Sequence, residues 1–286
     1  MGISKFAKAI TSHPKLATVW SERGEAYARL RQWQKAIDDC SEAIKLNPKL
    51  KRAWVIRGHA YLGEGEWEKA AADYGQAMKL DPNDDWRWFP TAALRLQIGD
   101  TEGYRRICRD VLERFGNSGQ LAERISKTCL LIPDAVSDFG PVFKLADRAV
   151  TGTEQHPYYR WYVQAKGLAE YRARRDAGAV AWLTRFSPQA DGIHADAGAF
   201  SILAMAQHRL GRAEAAREAL GHARAILTKK MPDPGAGRPF TADFPFNAGE
   251  ALNWQHAAIL FREAEAVVGA DRTTNQNDTR KGTGSR

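Results

Sequence analysis

The chain has 286 residues, 44% of them hydrophobic and 27% charged, with a formal net charge of +8. That hydrophobic content supports a packed core without staples, and three cysteines make no disulfide framework. No apolar run reaches the length of a membrane span, no signal core opens the chain, and Gly2 lacks the context for myristoylation.

Along the chain the decisive pattern is a spacing of 34 residues: Trp20, Gly24, Tyr27, Ala36, Ala43 and Pro48 recur as Trp54, Gly58, Tyr61, Ala70, Ala77 and Pro82. Self-similarity at a fixed period of this length marks a solenoid, in which each unit packs on its neighbours. Each unit reads as two amphipathic helices, over Ala17–Leu30 and Trp33–Leu46 in the first copy. Gly24, Gly58, Ala36 and Ala70 are expected where the two helices cross, because small residues permit close axes. Ala43 and Ala77 are expected where the next unit leans. Trp20, Tyr27, Trp54 and Tyr61 are expected to fill the remaining holes as buried aromatics. Pro48 and Pro82, after Asn47 and Asp81, end the second helices.

Projected backwards, the period sets Phe6, Ala9 and Pro14 on the positions of Cys40, Ala43 and Pro48. Residues 1–16 therefore read as the second helix of a preceding unit: either a lone helix caps the array or, the favoured expectation, the chain is a fragment of a longer protein. Projected forwards, Trp88, Ala92 and Gly99 keep register with Trp54, Gly58 and Gly65, and Cys108 and Val111 continue a second helix. This closes three units over residues 17–118. The third is degenerate: Tyr104 replaces the crossing alanine, and Pro90 requires its first helix to start near Phe89 or kink there.

Over residues 119–230 the period fails but helical pairs persist. They are Gln120–Leu131 with Val142–Val150, Tyr159–Arg174 with Ala177–Phe186, and Ala199–Leu210 with Ala213–Leu227. Gly167 and Ala179 hold the small positions of the middle pair. Residues 231–248 are rich in proline and glycine and read as a long loop, whose covering of any groove the sequence leaves open. A capping helix is expected over residues 249–269, ending near Val268. Residues 270–286, polar and without an apolar face, are expected to be disordered.

The pattern W-x2-R-G-x2-Y followed by A, A and P resembles the tetratricopeptide repeat (TPR). The pentatricopeptide alternative uses a different period and lacks this residue set. The resemblance implies an all-α fold, a TPR-type α-solenoid of antiparallel helix pairs forming a right-handed superhelix. A narrower resemblance is to the C-terminal TPR regions of bacterial serine/threonine kinase fusions. It is carried by LRLQIGDTEGYRRICRDVLERFG (Leu94–Gly116), LLIPDAV (Leu130–Val136) and LAMAQHRLGRAEAAREAL (Leu203–Leu220). This implies a bacterial regulatory or docking region, either free-standing or beside a kinase domain in cis, with no kinase activity of its own.

Chemistry-bearing motifs are sparse. Asp138-Phe139-Gly140 spells the kinase magnesium motif, yet no Gly-rich loop, strand lysine or H-R-D loop accompanies it. Gly235-Ala236-Gly237 lacks the strand–turn–helix setting of a nucleotide loop. The seven histidines include no H-E-x-x-H and no zinc spacing, and His194 and Asp196 are expected to share a loop. The chain is therefore expected to be no enzyme and to use no metal or cofactor. Cys40, Cys108 and Cys129 read as small hydrophobes, which suits a reducing cytoplasm.

In the TPR family the first helix of each unit lines a concave groove with the face turned away from its partner. Here that face offers Ser21, Glu25, Arg29, Arg52, Val55, His59, Trp86 and Phe89 as partner-binding residues. Trp86 and Phe89 would be aromatic anchors, and Glu25, Arg29 and Arg52 charged selectors. The family's carboxylate clamp for chaperone tails is not expected, because Glu25 and His59 replace its asparagines and Ser21 its first lysine. The net positive charge reads first as a solvated surface, then as a groove for an acidic peptide. Nucleic acid is the weakest reading, since the basic clusters Arg105-Arg106, Arg172–Arg175 and Lys229-Lys230 are scattered.

Overall fold

A computed structural model describes residues 3–84, 87–119, 121–185, 193–230 and 248–281. The described residues form fourteen α-helices and no strand. They are α1 (Ile3–Ser12), α2 (Ala17–Arg29), α3 (Trp33–Leu46), α4 (Lys51–Glu64), α5 (Trp67–Leu80), α6 (Trp88–Gln97) and α7 (Thr101–Phe115). There follow α8 (Ala122–Cys129), α9 (Gly140–Val150), α10 (Tyr159–Arg172), α11 (Asp176–Arg185), α12 (His194–Arg209), α13 (Ala213–Lys230) and α14 (Ala248–Lys281). The chain divides into two compact units between Tyr104 and Arg105, inside α7. The expected loop at 231–247, with Gly235-Ala236-Gly237, lies outside the described residues.

In the first unit α1 packs on α2, α2 on α3, α3 on α4, α4 on α5 and α5 on α6, while α2 also touches α4. The small residues create these crossings. A Cβ on Gly24 would lie 2.6 Å from the Cys40 Sγ, and one on Gly58 would lie 2.8 Å from the Tyr74 ring. Ala36, Ala43 and Ala70 are fully buried, as the spacing requires. The tryptophan–proline pairing has a direct cause: the Trp20, Trp54 and Trp88 indoles donate to the carbonyls of Pro14, Pro48 and Pro82, at 2.9, 2.9 and 3.2 Å. Each hydrogen bond ties the start of one unit to the turn that ends the previous one. Asn47 and Asp81 close those turns by accepting from the Lys49 and Asn83 amides.

The aromatics differ from expectation. Trp20, Tyr27, Trp54 and Tyr61 are only partly buried, packed at the edges of the core clusters. An arginine sits between each pair: the Arg23 guanidinium lies 5.1 Å from the Trp20 ring and 5.8 Å from Tyr27. Arg57 lies likewise between Trp54 and Tyr61, at 5.0 and 5.8 Å. The rings need one open face for the cation, so they cannot sink into the core. Each arginine also grips an aspartate with two hydrogen bonds, Arg23 to Asp39 and Arg57 to Asp73.

In the second unit α8, α10 and α12 follow one another as first helices, with α9, α11 and α13 as their partners. Gly167 lets Leu183 in: an added Cβ would lie 2.5 Å from its Cγ. Two helices depart from expectation. The helix that the periodicity starts at Ala199 begins at His194, because the Asp196 carboxylate accepts from the Ile193 amide at 2.8 Å and caps the first turn. His194 and Asp196 are thus on a helix and not in a loop. The last helix, expected to end near Val268, runs to Lys281. Between Gly269 and Gly282 no proline or glycine stops it, and each further residue adds a backbone hydrogen bond.

Charge is buried here. The Arg172 guanidinium donates to the carbonyls of Leu130 and Leu131 at 2.9 and 2.8 Å and is paired by Glu263 of α14. Lys166 is buried between Glu170 and Asp147. Asp138 accepts from the Gly140 amide at 2.8 Å and Phe139 stacks on Phe143, so Asp138-Phe139-Gly140 opens α9 as a helix-start turn. The three cysteines are buried and free, and burial pushes the Cys40 thiol up to about 12.

Candidate interaction site

The first helices α2 and α4 carry the expected binding face. Their contact brings Glu25 of α2 beside Arg52 of α4, and one turn along α2 Arg29 reaches the same carboxylate at 2.8 Å. Burial alone would push Glu25 up, but hydrogen bonds from Arg52 and Arg29 outweigh it and hold the carboxyl below the usual range. Both guanidiniums remain exposed. The three side chains flank a cleft of about 580 Å³, whose other walls are Ile3, Phe6, Glu22, Ala26 and Leu30.

The remaining predicted residues do not join them. Ser21, Val55 and Phe89 occupy one helical position in three successive units, and all are buried, with 1%, 6% and 6% of their surface exposed. That position faces the neighbouring helices, so these residues are core, and Phe89 is not a surface anchor. His59 is half-buried with its ring edge-on to Tyr74, 5.6 Å between centroids. Burial, aided by the Arg87 charge, lowers its pKa to about 3, so the imidazole is neutral at physiological pH. Trp86 lies outside the described residues. The α1 wall was absent from the expected set. Its signal was present, since Phe6 stands 34 residues before Cys40.

Among the described residues no group of histidines, cysteines and carboxylates is placed to hold a metal, and no helix is long and apolar enough to cross a membrane.

Residues 17–50 and 51–84 each match a family model of the tetratricopeptide repeat. No curated protein sequence matches the chain. Among solved structures, the fold is similar to YrrB, a TPR protein with an unusual peptide-binding site. The TM-score is 0.51 at 13% identity, over 73% of this chain and 100% of that one. It is also similar to a chain of the APC/C hetero-tetramer Cut9–Hcn1, with TM-score 0.51 and 15% identity, over 91% of this chain and 44% of that one. A tetratricopeptide repeat protein from Parabacteroides merdae ATCC 43184 aligns with TM-score 0.50 and 14% identity, over 78% of this chain and 85% of that one. At these identities the likeness is one of fold. With the family models, the 34-residue register and the observed helix pairs in agreement, residues 17–84 are two tetratricopeptide repeats.

Proposed function

We propose that the chain is a non-enzymatic scaffold whose two N-terminal repeats take a protein or peptide partner in the cleft flanked by Glu25, Arg29 and Arg52. The observation that carries this reading is the pair of exposed guanidiniums converging on one carboxylate at the rim of a cleft with apolar walls. Each guanidinium has five N–H donors, and Glu25 engages only one nitrogen of each. The remaining donors can receive an acidic side chain while Ile3, Phe6 and Leu30 receive an apolar one. YrrB, similar in fold, has a peptide-binding site of its own.

Selection from a random peptide display library tests it, run on the wild-type chain and on the Arg29→Glu, Arg52→Glu variant. The wild type should enrich peptides that combine acidic and apolar residues, and the variant should lose them while keeping its helical circular dichroism. Equal enrichment on both would remove the cleft from the function. Capture of a serine/threonine kinase domain through the same residues would select a docking segment as the form this function takes.

A further inference from the structure

We infer that the second unit carries a docking surface for a proline-rich segment of a partner protein in the polyproline II conformation, built on the rings of Tyr158, Trp161 and Tyr162. The inference is independent of the cleft at Glu25, Arg29 and Arg52.

The turn before α10 bares aromatic residues. His156, Pro157 and Tyr158 are exposed, and Tyr159, Trp161 and Tyr162 are half-buried. Tyr158 keeps 60% of its surface exposed, and among the described residues of the second unit no other large hydrophobic side chain is exposed. The patch is held in place. His156 Nδ1 accepts from the Tyr158 amide at 3.1 Å and lies 3.2 Å from the Tyr162 hydroxyl. The His156 ring packs on Tyr158 and Tyr162, with centroids 5.5 and 5.2 Å away, and Tyr158 stands edge-on to Trp161 at 5.3 Å. Trp161 leans on His194 of α12 at 6.1 Å, and His194 on the buried Trp254 of α14 at 5.6 Å. A continuous row of rings thus ties the exposed face to the core. Folding has already ordered these side chains, so a partner gains their apolar area at little further entropic cost.

Shape and charge select the occupant. At these separations the rings touch one another, so no cage is left between them for an ammonium group. The Tyr158 and Trp161 planes meet at 83°, forming a step against which a compact pyrrolidine ring can pack. The row from Tyr158 through Trp161 to His194, in steps of 5.3 and 6.1 Å, is long enough for one turn of polyproline II, roughly 9 Å. The bordering charges cancel. Arg160 is paired with Asp196 at 3.1 Å and Lys127 with Glu123 at 2.5 Å, while Glu123 and Arg124 act on the Tyr162 hydroxyl in opposite directions. An acidic peptide or a nucleic-acid backbone would need cations that are not already opposed. A polyproline segment needs none. It presents apolar rings and carbonyls that no internal hydrogen bond occupies, and the Tyr158 hydroxyl and Trp161 indole N–H are donors for those carbonyls.

The probe is fluorescein-labelled deca-proline, titrated with the full chain and followed by anisotropy. Saturable binding is expected, and a glycine–serine peptide of equal length should not bind. Tyr158→Ala, an exposed substitution that leaves the fold intact by circular dichroism, should weaken binding by about fivefold or more, the mark of an interface anchor. Tyr158→Phe keeps the ring and should stay within about twofold of the wild type. The Arg29→Glu, Arg52→Glu variant should bind deca-proline as the wild type does, so this reading and that of the cleft fail separately. Absence of saturable binding, or equal binding by Tyr158→Ala, would overturn the proposal. So would retention of an oligothymidylate in place of deca-proline, lost in Tyr158→Ala, which would make the patch a base-stacking platform.

Discussion

In the first unit each crossing sets a glycine against a side chain sixteen residues later, Gly24 on Cys40 and Gly58 on Tyr74, and the ion pairs Arg23–Asp39 and Arg57–Asp73 run beside them. In the second unit Gly167 on Leu183 keeps the same offset of sixteen, but the cations sit deeper: the Lys166 and Arg172 side chains are 8% and 3% exposed against 18% and 17% for Arg23 and Arg57, and Arg172 ties α10 to the Leu130–Leu131 carbonyls and to α14. The geometry of a single hairpin is thus common to both units. What differs is how one hairpin is joined to the next. The first unit uses a repeated turn, Trp to Pro, at a fixed interval. The second uses buried polar contacts specific to each junction, and no fixed interval is needed.

The largest expected effect tests that contrast. Arg172→Met removes a guanidinium that answers a carboxylate and two carbonyls at once, leaving Glu263 without its buried partner. Removing one member of a buried pair costs about 3–5 kcal/mol. Hydrogen exchange should show the loss over α8, α10 and α14, with protection in α2–α5 unchanged. Equal loss in both units would mean that they unfold as one and that the contrast has no energetic content.

Acid should separate the units next. The pKa of His194 falls to about 3, through burial and then the Lys127 and Arg160 charges, and that of His256 falls well below its ordinary value. The first unit has one such group, His59. A histidine lowered in the folded state leaves stability intact above its unfolded pKa near 6.5. That stability is lost as pH falls below 6.5, because the unfolded chain takes protons that the folded chain refuses. Each contributes about 1.4 kcal/mol per pH unit. Glu25 and Glu170 are both held low by paired cations, so their losses on acidification are common to the two units. Asp73 is raised by burial, and lowering pH relieves that cost in the first unit. The second unit should therefore open first between pH 6.5 and 4, and His256→Gln should narrow the gap. Simultaneous opening would contradict the assigned burial.

Which parts were legible follows from the same contrast. The period marks equivalent residues, so α3 was bounded at Trp33 and Leu46 from the sequence alone. It does not say which way an equivalent position faces. The groove set therefore mixed Glu25, Arg29 and Arg52 at the cleft with Ser21, Val55 and Phe89, a single position turned into the core. The Arg172 junction was hidden because its partner is set by three-dimensional packing, with Glu263 91 residues from Arg172, whereas the Asp196 cap is local, three residues from the Ile193 amide it accepts from, and was open to a sequence reading that missed it.

Overpacking probes the shared hairpin. Ala36 is fully buried where α3 crosses α2, and its carbonyl lies 3.3 Å from where a Gly24 Cβ would sit. Ala36→Leu should lower stability by about 1–3 kcal/mol, and Ala179→Leu, at the buried small position of α11, by a similar amount. Melting curves in which only the first falls would show that the hairpin crossing is tight in one unit and loose in the other.

The smallest effect tests the turns inside the hairpins. Gly65, Gly99 and Gly211 follow first helices with φ near 78°, 76° and 73°. Arg31 and Arg174 stand at the same kind of turn with φ of 56° and 61°. Arg31 lies 34 residues before Gly65, so it is the same position filled by a residue with a Cβ. A left-handed conformation costs such a residue about 1 kcal/mol that glycine does not incur, offset in part by glycine's greater freedom in the unfolded chain. Arg31→Gly and Arg174→Gly should each raise stability by about 0.5 kcal/mol, one in each unit. A gain at Arg31 alone would place the turn's strain in the strict repeats. A gain at both would show that the turn, like the offset of sixteen, belongs to the hairpin and is independent of the spacing between hairpins.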